Sequence, residues 1–461
     1  MLVENESFRF DSEYFKKEYL ENKINYITSL PLYKLASLSD GDHSKFPDNQ
    51  NQDVRYLQAR DISSNFIEII SNSYVSQEYF KRNQRSAISA NTILMSIMGN
   101  IGDLAITPDN FLNCMCNRAL AIIKNITGIL PQFLFTYLMT SHLYSIIKRA
   151  SNGGVQKRLN IDILKNLPIP IFSPKIQQLI EKIVIAAHTK RNLSKSLYTE
   201  AEQLLLQELG LVNFKPSTEN IAIKKLSESF GTTGRLDAEY YQPKYEEIEN
   251  VISKYRLGYN AIGSVFKLSK QNFKVDKDKL YEYVEIGSIN VSSGEIVPEL
   301  ITGAELPSNA KRKLKVGQVI VSKVRTYRSG IAIIDKDNYV GSTAFSILEE
   351  KPNGKVNKET LFSFLRSNLF LEWSLKPNTG TSYPVILDED ILNFNIPLID
   401  TNIQNIIASK IQQSFALRKE SKHLLDIAKQ AVEMAIEEDE ETAIKWLNEV
   451  TIPETNIHEK S

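Results

Sequence analysis

"DILKNLPIPIFSPKIQQLIEKI" fills residues 162–183, and "DILNFNIPLIDTNIQNIIASKI" fills residues 390–411. Each passes from Asp-Ile-Leu through a proline-bearing apolar run into Ile-Gln and a helical apolar pattern. Further matches appear in order on either side. "FLFTYLMTSHL" (133–143) lies over "TLFSFLRSNLF" (360–370), "RALAII" (118–123) over "TAFSIL" (343–348), and "ILMS" (93–96) over "VIVS" (319–322). "YLQARDISSNFIE" (56–68) lies over "YVEIGSINVSSGEI" (283–296), and "RFDSEYF" (9–15) over "RLDAEYY" (235–241). The offset stays between 225 and 228 residues throughout. One such pair is chance, but an ordered series at one offset is a duplication.

Each copy has the same internal order. Short β-like runs such as "TILMSIM", "QVIVSKV" and "GIAIIDK", bounded by Gly, Asn or Asp, come first. A long helical pattern follows. In the first copy Ile176, Ile183, Leu197 and Leu204 recur at sevens, interrupted by Lys190, beside Ile180, Ala187, Ser194 and Ala201. In the second, Ile403, Leu417, Leu424 and Ala431 recur, interrupted by Lys410, beside Ile407, Ser414, Ser421 and Ala428. Alternating 3-4 spacing marks a coiled-coil seam, and its small residues suit close helix–helix approach. Pro174 and Gly210 punctuate the first helix as a start and a stop. About 35 residues of helix span roughly 52 Å. The expected fold is α+β: two similar mixed α/β regions in tandem, each followed by a long helix, the two helices packed as an antiparallel coiled coil. Such a pair would hold two sensors at a set distance. The expected boundaries are 1–172, a helix over 173–212, a linker and second region over 213–399, a second helix over 400–437, and an acidic tail over 438–461.

A chain of 461 residues exceeds one ordinary core. Two cysteines, Cys114 and Cys116, build no disulfide framework, and with no further Cys or His nearby they read as half-buried structural thiols rather than a zinc site. The N-terminus lacks the basic and apolar regions of a signal peptide, so a cytoplasmic location is expected. Residues 125–147 carry no formal charge and imitate a membrane span. Asn125, Gly128, Pro131, Gln132 and His142 dilute that span, and its counterpart carries Glu359, Arg366 and Glu372. A mostly buried helix is therefore expected there, and no membrane. The net charge is zero, but residues 437–461 carry eight acids against two lysines, a charge of −6, leaving +6 on the rest. A mildly basic body is compatible with a DNA partner.

Catalytic motifs are missing. No Asn/Asp-Pro-Pro-Tyr/Phe element is present to hold a target adenine, and no G-x-x-x-x-G-K-[ST] loop to cradle ATP phosphates. Asp335 with Glu349, Glu350 and Lys351 forms the nearest nuclease-like set, and the first copy lacks it. The five histidines are scattered, with no nucleophile or metal cluster beside them.

The sequence resembles the specificity (S) subunits of Type I restriction-modification systems over roughly residues 8–436. The likeness rests on "RLDAEYYQPKY" (235–245), on "GGVQKRLNIDILKNLPIPIFSPKIQQLIEKI" (153–183) and on the twofold plan. The second copy departs from the pattern, reading "NIPLIDTNIQNII" without the second proline. The resemblance implies that each variable region is a target-recognition domain for one half of a bipartite, asymmetric site in double-stranded DNA. It implies that the long helices act as spacers and dock two methyltransferase (M) subunits, with restriction/translocase (R) subunits completing the complex. It further implies a non-catalytic chain that binds no cofactor, while partner subunits use S-adenosylmethionine, ATP and Mg²⁺. The doubled Arg-x-Asp-x-Glu-Tyr motif then marks the start of each domain in a structural role. Competing readings are a recognition subunit serving a fused methyltransferase–nuclease partner, an autonomous enzyme, and a coiled-coil scaffold without a DNA role.

Candidate DNA contacts are the basic and polar loops. In the first region they are Arg55, Arg60, Arg82, Arg85, Asn100, Lys148, Arg149, Lys157 and Arg158. Asn100 lies in "MGNIGD", whose glycines permit close backbone approach to a phosphate. In the second they are Lys311, Arg312, Lys313, Lys323, Arg325, Tyr327 and Arg328, with Lys315 in the same basic run. Arginine can read guanine through two hydrogen bonds, whereas lysine more often meets phosphate. The competing reading of any one of these cations is a solvated surface charge.

Overall fold

The computed structural model describes residues 28–44, 53–63, 65–111, 113–151, 158–219, 221–378 and 383–450. "RFDSEYF" and Lys157 lie outside them. Two compact units are present, Met1–Leu193 with Leu417–Ser461, and Ser194–Ala416.

The first unit is built on a sheet of strands Ser37–Asp40, Leu120–Lys124, Ile93–Ser96 and Leu104–Ile106, in that spatial order and antiparallel. Leu120–Ile123 and Ile93–Met95 are wholly buried, so these strands read as continuous apolar runs without polar alternation. Their two faces nonetheless serve different layers. Ile93, Met95, Leu104, Ile106, Ala121 and Ile123 pack with helices, while Leu94, Ala105, Leu120 and Ile122 pack on the second sheet. That sheet orders Tyr74–Val75, Val54–Leu57, Cys114–Cys116 and Ala87–Ile88, its central pair parallel. Cys114 and Cys116 are fully buried rather than half-buried, and burial pushes the Cys114 thiol up to about 12.

The second unit repeats the plan strand for strand. Phe266–Leu268, Phe345–Glu350, Val319–Ser322 and Ile331–Ile333 form one sheet; Glu299–Thr302, Leu280–Val284, Val340–Ser342 and Ala310–Lys313 form the other. The central pair of the latter is again parallel. Val319, Val321, Ile331 and Leu348 face helices, and Ile320, Ala332, Phe345 and Ile347 face the other sheet.

The two proline-bearing stretches become edge pairs, Ser29–Pro31 with Pro168–Pro170 and Tyr259–Ala261 with Asn395–Pro397. Proline, lacking an N–H, is tolerated at such edges. The uncharged segment forms two helices, Pro131–Leu138 and Ser141–Ala150, rather than one. Extended Thr140 breaks it, and the Glu433 carboxylate accepts from the Ser141 N–H at the new start. Its counterpart likewise splits into Lys358–Arg366 and Asn368–Trp373. No helix among the described residues is long and apolar enough to cross a membrane.

The long helices run Pro174–Glu208 and Thr401–Glu437. In both units they lie side by side and antiparallel. In the first unit Ser421 Oγ donates to the Ala187 carbonyl at 2.6 Å, and Lys190 pairs with Glu420 at 2.8 Å. In the second, Ser414 Oγ donates to the Ser194 carbonyl at 2.7 Å, and Lys410 pairs with Glu200 at 2.6 Å. Serines in the seam thus bond the opposite backbone, and the two interrupting lysines reach across to carboxylates. Ala187, Ser194, Ala201, Ser414, Ser421 and Ala428 are completely buried. Val184, Leu205, Ile411, Leu425 and Val432, outside the seven-residue rows, are buried too. The contact face is therefore broader than an a/d seam, because each helix also packs on its own sheet and helices.

Past the second long helix, the acidic segment forms a helix, Glu440–Glu449, with Ala443 and Leu447 in the first unit's core. The Glu440 carboxylate accepts from the Ser173 N–H at 3.1 Å, beside the start of the first long helix, where a negative charge complements the helix dipole.

Candidate nucleic-acid interface

In each copy the strand Ile93–Ser96 or Val319–Ser322 leads into a turn and returns as Leu104–Ile106 or Ile331–Ile333. The two turns are wired alike. Ile97 N–H donates to Ala119 O and Lys323 N–H to Ala344 O, both at 2.9 Å. The Ser96 hydroxyl donates to Met98 O, and the Ser322 hydroxyl to Val324 O. Met98 bridges Arg158, and Val324 bridges Val385.

In the first copy the turn reverses at Gly99 (φ 79°) and Gly102 (φ 97°), leaving Asn100 exposed at its tip. A Cβ on Gly102 would sit 3.2 Å from the Tyr144 ring, so the turn lies against that tyrosine. Lys148 sits over the same ring at 4.6 Å. Asn100, Tyr144, Lys148 and exposed Arg158 therefore share one surface. Arg149 is half-buried on the same helix as Lys148.

The other first-copy candidates do not join them. Arg55 is half-buried, with NH2 bonding the Tyr74 hydroxyl at 2.7 Å and the guanidinium over the Tyr74 ring. Arg82 pairs with Glu78, and Arg85 with Asp40. Arg60 is exposed on a short turn, Ala59–Asp61, whose Asp61 caps the backbone of Gln58, Ile70 and Ser71.

In the second copy the corresponding turn reverses at Arg325 (φ 51°) and Ser329 (φ 62°). Side chains in this left-handed region cost about 1–2 kcal/mol each. The Arg325 N–H donates to Pro384 O at 2.8 Å, and its guanidinium lies 4.5 Å over the Tyr383 ring. Arg328 is exposed beside Tyr327. Lys323 lies 3.3 Å from Asp388. The basic run 311–328 is divided by the fold: Lys311, Arg312 and Lys313 belong to an edge strand of the other sheet. There Arg312 bonds Asn272 at 2.6 Å, while Lys311, Lys313 and Lys315 are exposed.

Tyr383, 67% exposed, and Tyr144 were not singled out from sequence. Aligning the Gly-rich loop of the first copy with "KPNTGTSY" (376–383) at the common offset points to Tyr383. The base of that loop is tied by the "RLDAEYY" motif. Arg235 forms a two-bond pair with Asp237 (2.8 and 2.6 Å), donates to the carbonyls of Pro377 and Asn378, and lies over Tyr240. The hydrogen bond from Arg235 holds the Asp237 carboxyl below its usual range.

The nuclease-like set does not converge. Glu349 is held by Gln318 and Lys267, Glu350 caps the Lys358 N–H, and Lys351 bonds Gly263 O. Among the described residues no three His, Cys, Asp or Glu side chains are placed to hold a metal.

Two curated relatives align over part of the chain. The Type I restriction enzyme EcoDI specificity subunit of Escherichia coli is 27% identical over 109 residues, 24% of this chain. The EcoBI specificity subunit of the same organism is 26% identical over 132 residues, 28% of this chain. The matches span 23% and 27% of those relatives' lengths. Among solved structures, the S subunit of a Type I restriction-modification system from M. genitalium aligns over 93% of this chain and 97% of its own, at 14% identity and a TM-score of 0.38. The HsdS subunit from Thermoanaerobacter tengcongensis aligns over 89% and 97%, at 14% identity and a TM-score of 0.29. Those two likenesses are too loose to argue from. The family model is not: it matches both copies, over residues 41–203 and 259–426, and the chain belongs to the Type I restriction modification DNA specificity domain family.

Proposed function

We propose that this chain is the DNA sequence-recognition subunit of a Type I restriction-modification complex. Each copy reads one half of a bipartite, asymmetric duplex site, and the paired long helices dock two methyltransferase subunits, with restriction subunits completing the assembly. The chain is non-catalytic, binds no cofactor of its own and works in the cytoplasm; partner subunits use S-adenosylmethionine, ATP and Mg²⁺. One observation carries the reading: a turn framed by matching bonds in both copies reverses differently and bears different polar and basic side chains beside an exposed tyrosine. A conserved frame with a divergent tip is what two readers of different sequences need. In this reading Arg325 and Arg328 meet guanine edges or phosphates, Asn100 meets adenine, and Lys148 and Arg158 meet phosphate.

Co-expression with a methyltransferase subunit of a Type I system from the same source, followed by mapping of methylated adenines, tests this. A two-part motif with a fixed gap is expected, and exchanging residues 1–170 for those of a relative changes one part only. Scattered methylation or a single contiguous motif would overturn the reading.

A further inference from the structure

We propose that Arg366 is a positioning residue that clamps the second reading turn to the first long helix, so that discrimination in one half-site depends on that helix. The proposal rests on the DNA-reading role above and adds a residue outside the reading surface.

Arg366 ends the helix Lys358–Arg366 and is 6% exposed. Its Nε donates to the Tyr198 hydroxyl at 2.6 Å, on the first long helix. One terminal nitrogen donates to Ser329 O and Ile331 O, both at 3.0 Å, and the other to Val291 O at 2.9 Å. The guanidinium also lies over the rings of Phe362 and Tyr198. One side chain thus joins the reading turn, the 289–296 turn and a long helix. Ser329 is one of the two strained residues of the reading turn.

All four hydrogen-bond acceptors of Arg366 are neutral, and the carboxylate that feels its charge, Glu202, is not among them. A cation kept from water on neutral oxygens is a costly way to fill a core position. The fold does not demand it. At the common offset the equivalents of Arg366 and Tyr198 are Met139 and Leu425, both within the apolar cluster of the first unit. The second copy differs in one relevant respect. Its turn adopts left-handed conformations without glycine, and strained backbone persists only where its surroundings over-determine it. Arg366 supplies that restraint. Gly294 (φ 72°) lets the third segment close in: a Cβ there would lie 2.8 Å from Phe362.

The test selects from duplexes with both half-sites randomised, using the full chain with its methyltransferase partner. The wild type should return two strict halves. Arg366→Met should lower discrimination at bases of one half about tenfold, leaving the other unchanged. Arg366→Lys should behave like Arg366→Met, because an ammonium cannot serve the fork's separate acceptor directions. Tyr198→Phe, which removes one hydroxyl, should relax the same half to a smaller degree. If Arg366→Met does not fold, Tyr198→Phe decides alone. Variants that leave both halves strict, or loosen both equally, overturn the clamp. A wild type without a two-part preference overturns the DNA-reading role and the clamp with it.

Discussion

After Ile93–Ser96 the chain reverses through Gly99 and Gly102; after Val319–Ser322 it reverses through Arg325 and Ser329. The strands framing the turns are bonded alike, Ser96 N–H to Asp103 O and Ser322 N–H to Gly330 O, but the reversals differ. Gly102 N–H closes on Ser96 O in the first, while Thr326–Arg328 forms a 3-10 turn in the second, and each needs two left-handed residues. Glycine meets that need without strain. The second copy meets it with side chains that resist the conformation, which places the reason for Arg325 outside the fold. The neighbouring supports differ in parallel: apolar Met139 and Leu425 in one copy answer to Arg366 and Tyr198 in the other. One helix position likewise holds His188, edge-on to Phe66 at 5.0 Å, and in the other copy Phe415, edge-on to Phe362 at 5.7 Å.

The largest effect should come from reversing charge on the strained turn. Arg325→Glu with Arg328→Glu is expected to weaken DNA binding by more than tenfold. In a salt titration the log–log slope should fall by about one per lost phosphate contact. The paired change in the first copy, Asn100→Asp with Lys148→Glu, should lower the slope less, since only one cation is lost. Unchanged slopes would remove both turns from the interface.

A second effect separates the two aromatic slots. Burial pushes the His188 imidazole down to about 4, and its Nε2 has no hydrogen-bond partner among the described residues. Between its unfolded value near 6.5 and about 4, the unfolded chain holds the extra proton. The stability from neutral His188 is whole above pH 6.5 and declines by about 3 kcal/mol as pH falls to 4. His188→Phe, importing the residue of the second copy, should flatten that part of a melting-temperature profile. A profile identical to the wild type would deny the slot its pH dependence.

The smallest effect concerns strain itself. Arg325→Gly should stabilise the chain by about 1 kcal/mol in thermal melts while weakening DNA binding. Gly99→Arg should destabilise by a similar amount. If Arg325→Gly lowers stability, the stack on Tyr383 outweighs the backbone cost, and the contrast between the turns loses its meaning.

Much of this architecture was legible because duplication prints itself twice. The strands Ile93–Ser96 and Val319–Ser322 are apolar on both faces, and the long helices carry a repeating pattern of small and apolar residues broken once in each by a lysine. The interface was less legible, because a run of cations says nothing about which sheet receives each one. Lys311–Lys313 and Lys323–Arg328 are near neighbours in sequence yet leave from different sheets. Tyr383 and Arg366 were hidden for a related reason. Each acts through contacts with residues far away in the chain, and neither carries a local signature. Lys190 and Lys410 interrupt their rows, and only the facing helix explains them.

The two units differ in how their pieces are delivered. The second is one continuous span, Ser194–Ala416, whereas the first needs Leu417 onward as well. Leu424, Ala428, Ala431, Val432, Ala443 and Leu447 complete its apolar cluster, and Glu440 caps its long helix. On the ribosome, the region translated first is therefore the last able to finish. Its unfilled cluster stays open while more than two hundred residues emerge, a long exposure for apolar surface.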